Sequence, residues 1–143
     1  FEYPAPDQAI ALGEGRVYNE TAKDLLIITY GNGVLMSLRA ARKIEAETKK
    51  KVRILDLRWL KPLNAELVAK HARECGKVLV VDEGRTTGGI AEEIFTHVVE
   101  GCGENVKMAR VAGADTYIPL ADAANLVLVQ EPEIVETGKK LLK

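Results

Sequence analysis

Four short apolar runs, spaced by stretches of helical period, constrain the fold of this chain more than any other feature. LLIITY (Leu25 to Tyr30), VRILDL (Val52 to Leu57), KVLVVD (Lys77 to Asp82) and VKMARV (Val106 to Val111) are near-continuous in apolar residues. A strand with one wet face alternates, whereas a strand without alternation has both faces covered. The intervening stretches Leu35 to Thr48, Asn64 to Cys75 and Gly89 to Glu100 predict helices, and Glu131 to Leu142 predicts a fourth. Asn64 suits an N-cap, and Pro132 suits a first helical turn with Glu131 and Glu133 at its positive end. Gly76 and Gly101 stand where C′ glycines would close the second and third helices. Strand and helix in alternation require crossovers, hence an α/β fold of three layers, α/β/α, with a mostly parallel sheet of about five strands. GRVYNE (Gly15 to Glu20) offers a short edge strand, the one that can run antiparallel.

With 143 residues the chain is one domain's worth. Residues 15–143 are expected to form it. Pro4 and Pro6 favour an extended path, so residues 1–14 are expected to be a linker or arm from an upstream domain. Lys+Arg 20 against Asp+Glu 21 leaves the charge near zero, which argues against nucleic acid or a membrane surface as a partner. No run approaches the roughly 20 apolar residues of a membrane helix. Cys75 and Cys102 are too far apart for a CxxC pair and are expected to be reduced core residues in a cytoplasmic setting. KKKVR (Lys49 to Arg53) is expected to be a solvated helix end, its cations opposing the dipole.

Ligands of open α/β sheets bind beyond the carboxyl ends of the strands, and three turns qualify here. In YGNGV, Gly31 and Gly33 with Asp56 at the next strand end resemble parts of a nucleotide-binding site. Met36, however, holds the place of the third glycine of GxGxxG, and short GxG turns also serve any strand that reverses into a helix. DLRWLKPLN forms a corner stiffened by Pro62, in which Arg58 and Trp59 suit a subunit contact better than a ligand platform. In DEGRTTGG, Gly88 and Gly89 at a helix N-terminus could hold an anion or a partner's carboxylate together with Arg85. Alternatively, Glu83 and Arg85 pair locally and the glycines allow tight packing. His71 shares a helix stripe with Leu67 and Cys75 and is expected to pack in the core, while His97 sits late in the third helix. Neither has a triad-like partner in sequence, and no nucleophile, base and oxyanion set is assembled.

In order, ITYGNG, ILDLRWLKPLN, VLVVDEGRTTGG and RVAGADTYIPLADAANLVLVQEPEIVETGKKLL resemble the C-terminal domain of the transketolase superfamily. The form most similar is the β subunit, or fused equivalent, of the thiamine-diphosphate-dependent decarboxylating component of 2-oxoacid dehydrogenase complexes. Leu57, Arg58, Leu60, Pro62 and Leu63 match its LR-x-L-x-PL corner. Thr87, Gly88 and Gly89 match the end of its E-x-x-R-x-GG turn, and Glu83 stands three before Thr86, so that the spacing of the turn is slightly loosened. Arg110, Val111, Asp115, Ile118 and Pro119 match its R-V-x-x-x-D-x-x-I-P stretch.

The resemblance implies an assembly domain of a pyruvate or branched-chain 2-oxoacid dehydrogenase, without catalytic residues of its own. It implies thiamine diphosphate and Mg²⁺ in the parent enzyme but none bound by this chain alone. Homodimer or heterotetramer partner subunits and a lipoyl-bearing acyltransferase core are the implied partners, with no nucleic acid and no membrane. The interface or docking candidates are Arg58, Trp59, Glu83, Arg85, Thr87, Gly88, Gly89 and Glu104, the last in the neighbourhood of the family's acidic docking residue. Two other readings stay open. One is the same domain from a transketolase or deoxyxylulose-phosphate synthase relative, with a sugar-phosphate contact at Arg58, Lys61 or Arg85. The other is a free-standing nucleotide-binding module using Gly31, Gly33 and Asp56.

Overall fold

A computed structural model describes Ala5 and residues 9–143. Strands β1 (Arg16–Tyr18), β2 (Leu25–Thr29), β3 (Val52–Asp56), β4 (Lys77–Arg85) and β5 (Lys107–Gly113) form one sheet in the order β1-β3-β2-β4-β5. Every pairing is parallel except β1 with β3, where Arg16 lies opposite Asp56 and Tyr18 opposite Ile54. The expected mostly parallel sheet with an antiparallel edge strand is therefore the fold. Half of the arm expected over residues 1–14 lies outside the described residues. Its inner end is docked, because Gly13 O accepts from Asn64 Nδ2 at 3.0 Å.

Helices α1 (Asn32–Thr48) and α4 (Glu131–Leu142) cover one face of the sheet, and α2 (Ala65–Cys75) and α3 (Ile90–Cys102) cover the other. Alternate residues of each strand feed the two cores. Leu25, Ile27, Leu79 and Val81 pack with Ile44 and Ile134, while Leu26, Ile28, Val78 and Val80 pack with Val68, Ile94 and Val98. All five residues of β2 are buried, which explains the lack of alternation in its sequence.

Local chemistry sets the helix ends. Asn64 caps α2 by accepting from Leu67 N–H at 2.9 Å, and Gly76 closes that helix in the left-handed region at φ 66°. Gln130 and Glu133 form a reciprocal capping box at α4, with Pro132 in its first turn.

Three expectations need correction. First, α1 begins at Asn32 rather than Leu35, because a remote carboxylate satisfies its first turn, as described below. Second, Gly101 does not end α3. The helix runs to Cys102, and Gly103 at φ 68° follows it. Gly101 is there for packing: a Cβ on it would lie 2.6 Å from the Ala69 Cβ, so α2 and α3 approach closely here. Third, the cationic run after α1 is not wholly a solvated helix end. Lys49 closes the helix at φ 61°, and the chain enters β3, which carries Arg53 inside at 1% exposure. There Arg53 donates to Ala22 O at 3.0 Å and to the Glu74 carboxylate, and it contacts His71. The two cysteines are free thiols, Cys75 buried and Cys102 partly so.

Candidate functional site

The last residues of β4 fasten helices from both layers. Successive side chains of a strand face opposite sides, and Asp82 and Glu83 continue the alternation of Val80 and Val81. Asp82 is fully buried. It accepts from Ala91 N–H in the first turn of α3 at 2.8 Å, from Gly84 N–H at 2.8 Å and from the Tyr30 hydroxyl at 2.6 Å. Burial, together with that bond, pushes the Tyr30 hydroxyl well above the usual phenol range. On the other face, Glu83 accepts from Gly33 N–H in the first turn of α1 at 2.7 Å.

Helix N-termini offer unsatisfied N–H donors and the positive end of the dipole, which is why they bind phosphates and carboxylates in α/β proteins. Here the chain supplies those anions itself. The glycines of both turns make room for them. A Cβ on Gly31 would lie 2.9 Å from Glu83 Oε2, and one on Gly89 would lie 2.6 Å from Asp82 Oδ2. The crevice in question opens between β2 and β4, where the winding changes direction and a ligand would ordinarily sit.

This geometry changes two expectations. Glu83 and Arg85 do not pair locally, since Glu83 reaches across to α1. Gly88 and Gly89 do not combine with Arg85 into an open anion cradle, because Asp82 already holds the start of α3. The strand itself extends through Arg85, with an irregularity in its pairing between Asp82 and Arg85. The nucleotide reading loses its parts for a similar reason: Asp56, only 4% exposed, is ion-paired with Arg58 Nε at 2.6 Å.

The remaining candidates separate into two places. Arg58 and Trp59 line a groove of about 750 Å³ beside β1 and the inner end of the N-terminal arm, with Trp59 38% exposed. Arg85 and Thr87 line a second cavity, of about 690 Å³, with Asp115, Thr116 and Tyr117. The Thr87 hydroxyl and N–H donate to Asp115 at 2.6 and 2.8 Å, holding that carboxyl below the usual carboxylate range. Gly88 lies at φ 71° in the same turn. Glu104 stands apart, exposed on the 3₁₀ turn that follows α3.

Sequence reasoning missed the most exposed part of this end. Between β5 and α4, every residue from Ala114 to Ala123 is exposed. Tyr117 is 96%, Ile118 62%, Leu120 90% and Leu126 85% exposed. Large apolar side chains so displayed mark interaction surfaces. The signal was present as TYIPLADAANL, a stretch too apolar for an ordinary loop and without either regular period. Asp82 was missed as well, although an acid ending a strand before a glycine turn and a helix is suited to capping that helix.

The transketolase C-terminal domain model matches residues 13–134. The chain belongs to that family. Among curated relatives, the pyruvate dehydrogenase E1 component subunit beta of Staphylococcus aureus is 29% identical over 144 residues, covering 99% of this chain and 44% of the relative. The same subunit of Staphylococcus epidermidis is 28% identical with equal coverage. The chain thus spans less than half the length of these relatives. Among solved structures, a split-gene transketolase described as an inactive beta4 tetramer superimposes with a TM-score of 0.80 at 25% identity, covering 99% of this chain and 46% of that one. A 2-oxoglutarate:ferredoxin oxidoreductase from Magnetococcus marinus shares the fold, with a TM-score of 0.63 at 18% identity over 91% of this chain and 20% of its own. No helix among the described residues is long and apolar enough to cross a membrane.

Proposed function

We propose that this chain is the assembly domain of a thiamine-diphosphate-dependent 2-oxoacid dehydrogenase decarboxylating component, of pyruvate or branched-chain type. In this reading it joins subunits, contributes to docking a lipoyl-bearing acyltransferase core, and performs no chemistry itself. One observation carries the proposal: the carboxyl-end crevice is closed by the chain's own acids, while an apolar segment beside it stands in solvent. A site for chemistry would have the reverse arrangement. The similarity to E1 beta subunits supplies the enzyme class. The free thiols suit a reducing, cytoplasmic setting.

The family implies thiamine diphosphate and Mg²⁺, and the residues at this crevice do not fit them. The helix N-termini that could receive a diphosphate already hold Asp82 and Glu83, whose charge would repel one. Among the described residues, no three or more His, Cys, Asp or Glu side chains are grouped to hold a metal ion. The cofactor is therefore assigned to other portions of the parent enzyme. Arg58, Trp59, Arg85 and Thr87, with the exposed segment, are the residues proposed to meet neighbouring subunits. Glu104 is kept as a docking candidate, and Glu83, Gly88 and Gly89 as the frame behind the contact surface.

Calorimetric titration of the chain with thiamine diphosphate and Mg²⁺ tests this, alongside sedimentation velocity. No tight binding together with reversible self-association is expected. Micromolar affinity for the cofactor would refute the reading. The likeness to a split-gene transketolase favours a second reading, in which the parent acts on sugar phosphates. Turnover of pyruvate or branched-chain 2-oxoacids against xylulose phosphate by the parent enzyme distinguishes the two.

A further inference from the structure

The sheet ends in two edges of different character. β1 is three residues long, and a short edge strand offers little to a further strand. β5 runs for seven residues, contains no proline, and is hydrogen-bonded to β4 alone. Lys107 N–H donates to Gly76 O at 3.0 Å, and Gly113 O accepts from Thr86 N–H at 2.9 Å. Peptide groups of a parallel strand face alternate sides. Lys107, Ala109 and Val111 therefore turn N–H and C=O toward β4, and Met108, Arg110 and Ala112 turn theirs to the open side. Among the described residues, nothing in the chain bonds to those outward groups.

A groove of about 550 Å³ runs along this side, between β5 and α4. Arg110, Val111 and Ala112 form one wall, and Pro132, Thr137 and Lys140 form the other. Charge does not seal the edge, because the Arg110 guanidinium lies toward α3, 3.7 Å from Glu92. The two ends of the groove differ in sign. Lys107, where β5 begins, and Lys140, in the last turn of α4, are exposed. Among the described residues neither forms an ion pair, whereas the adjacent Lys139 is held by Glu47 at 2.6 Å. Toward the other end lie Glu133, which caps α4, and Glu136.

We infer that the open edge of β5 receives an extended segment of a partner protein, about five residues long, as a further strand of the sheet. The segment carries carboxylates at the end that meets Lys107 and Lys140. Main-chain bonds to Met108, Arg110 and Ala112 supply the hold, while the two lysines set the polarity and select an acidic partner. A second copy of the chain fits poorly, since pairing edge to edge about the middle of β5 would set Arg110 opposite Arg110. The contact lies on the far side of β4 from the crevice and does not depend on the assembly reading.

Amide NMR of the full chain, titrated with the synthetic peptide Glu-Glu-Thr-Val-Thr-Val-Thr, tests the inference. At about 1 mM peptide, exchange of the Met108, Arg110 and Ala112 amide protons should slow about tenfold. Those of Ala109 and Val111, already bonded to β4, should change little. A peptide with lysines in place of the glutamates should bind about fivefold more weakly, and Lys107→Glu combined with Lys140→Glu should reverse that order. Both positions are exposed, and an unchanged melting curve shows that the variant folds. Proline in place of the threonines should abolish the effect, because it removes ladder donors from the peptide. No slowing, or slowing spread evenly along β5, refutes a strand at this edge. Equal binding of the acidic and basic peptides refutes the acidic partner. Concentration-dependent slowing of the same amides without peptide assigns the edge to a second copy and refutes the inference as well. A negative result at this edge leaves the assembly reading standing, since the cofactor titration tests that separately.

Discussion

Arg53 Nη1 and His71 Nδ1 lie 2.8 Å apart, and each residue is only 1% exposed. Guanidinium is always a donor, so His71 Nδ1 must accept and the ring must be neutral. Burial, and then Arg53, hold its pKa below the ordinary 6.5, while Glu74 opposes them. The other charges bearing on the ring are Lys70 on the same helix and Glu20 before β2. The folded state therefore binds this proton less readily than the unfolded chain. Its contribution is complete above about pH 6.5 and is lost as pH falls below that value. Urea denaturation between pH 5 and 7.5 should show stability dropping on the acid side. In His71→Gln that part of the slope should vanish.

The Asp82–Tyr30 bond can be weighed by a double-mutant cycle. Asp82→Asn keeps the volume but replaces one carboxylate acceptor by an amide donor, among the N–H groups of Gly84 and Ala91. The expected loss is about 2 kcal/mol, since a buried donor is left facing a donor. Tyr30→Phe should cost about 1 kcal/mol alone and markedly less in the Asp82→Asn background. Additive effects would show that the two groups act independently.

At Gly101 two effects oppose each other. Alanine favours a helix over glycine by about 1 kcal/mol. A Cβ there, however, would sit 2.6 Å from the Ala69 methyl carbon. Gly101→Ala should destabilise by about 1–3 kcal/mol, because the clash outweighs the propensity. Placed on Ala69→Gly, the same substitution should be neutral or stabilising, as measured by thermal melting.

The two thiols should react in sequence. Cys75 is 9% exposed, and burial raises its pKa, with its Sγ 3.7 Å from Ala22 O. Cys102 is more accessible. A thiol reagent at mildly alkaline pH should modify Cys102 in the native chain and Cys75 only on unfolding. Mass spectrometry of the digested protein reads the order directly.

Strand number, layer order and the antiparallel edge were legible in the sequence because burial on both faces removes alternation from a strand. The positions of most helix ends were also legible, from Asn64, Gly76 and Pro132. What escaped was chemistry acting between distant segments. Nothing near Gly33 reveals that a residue 50 positions on will cap its helix. Arg53 sits among lysines and reads as solvated, yet its own position in β3 turns it inward toward His71 and Glu74. Gly101 looks like a terminator because helix–helix contact and helix termination both select glycine. The exposed segment between β5 and α4 was hidden because apolar residues in sequence announce burial, and only the fold shows which of them the domain leaves uncovered.

Asp82 and Glu83 are neighbours on one strand that serve opposite layers, and this makes β4 intolerant of a shift in frame. Deleting or inserting one residue between Val81 and Gly84 would exchange their faces and aim each acid at the wrong layer. Both α1 and α3 would lose their anions at once, with two negative side chains left stranded. The pair thus acts as a key, accepting a single alignment of strand against helices before the domain can close.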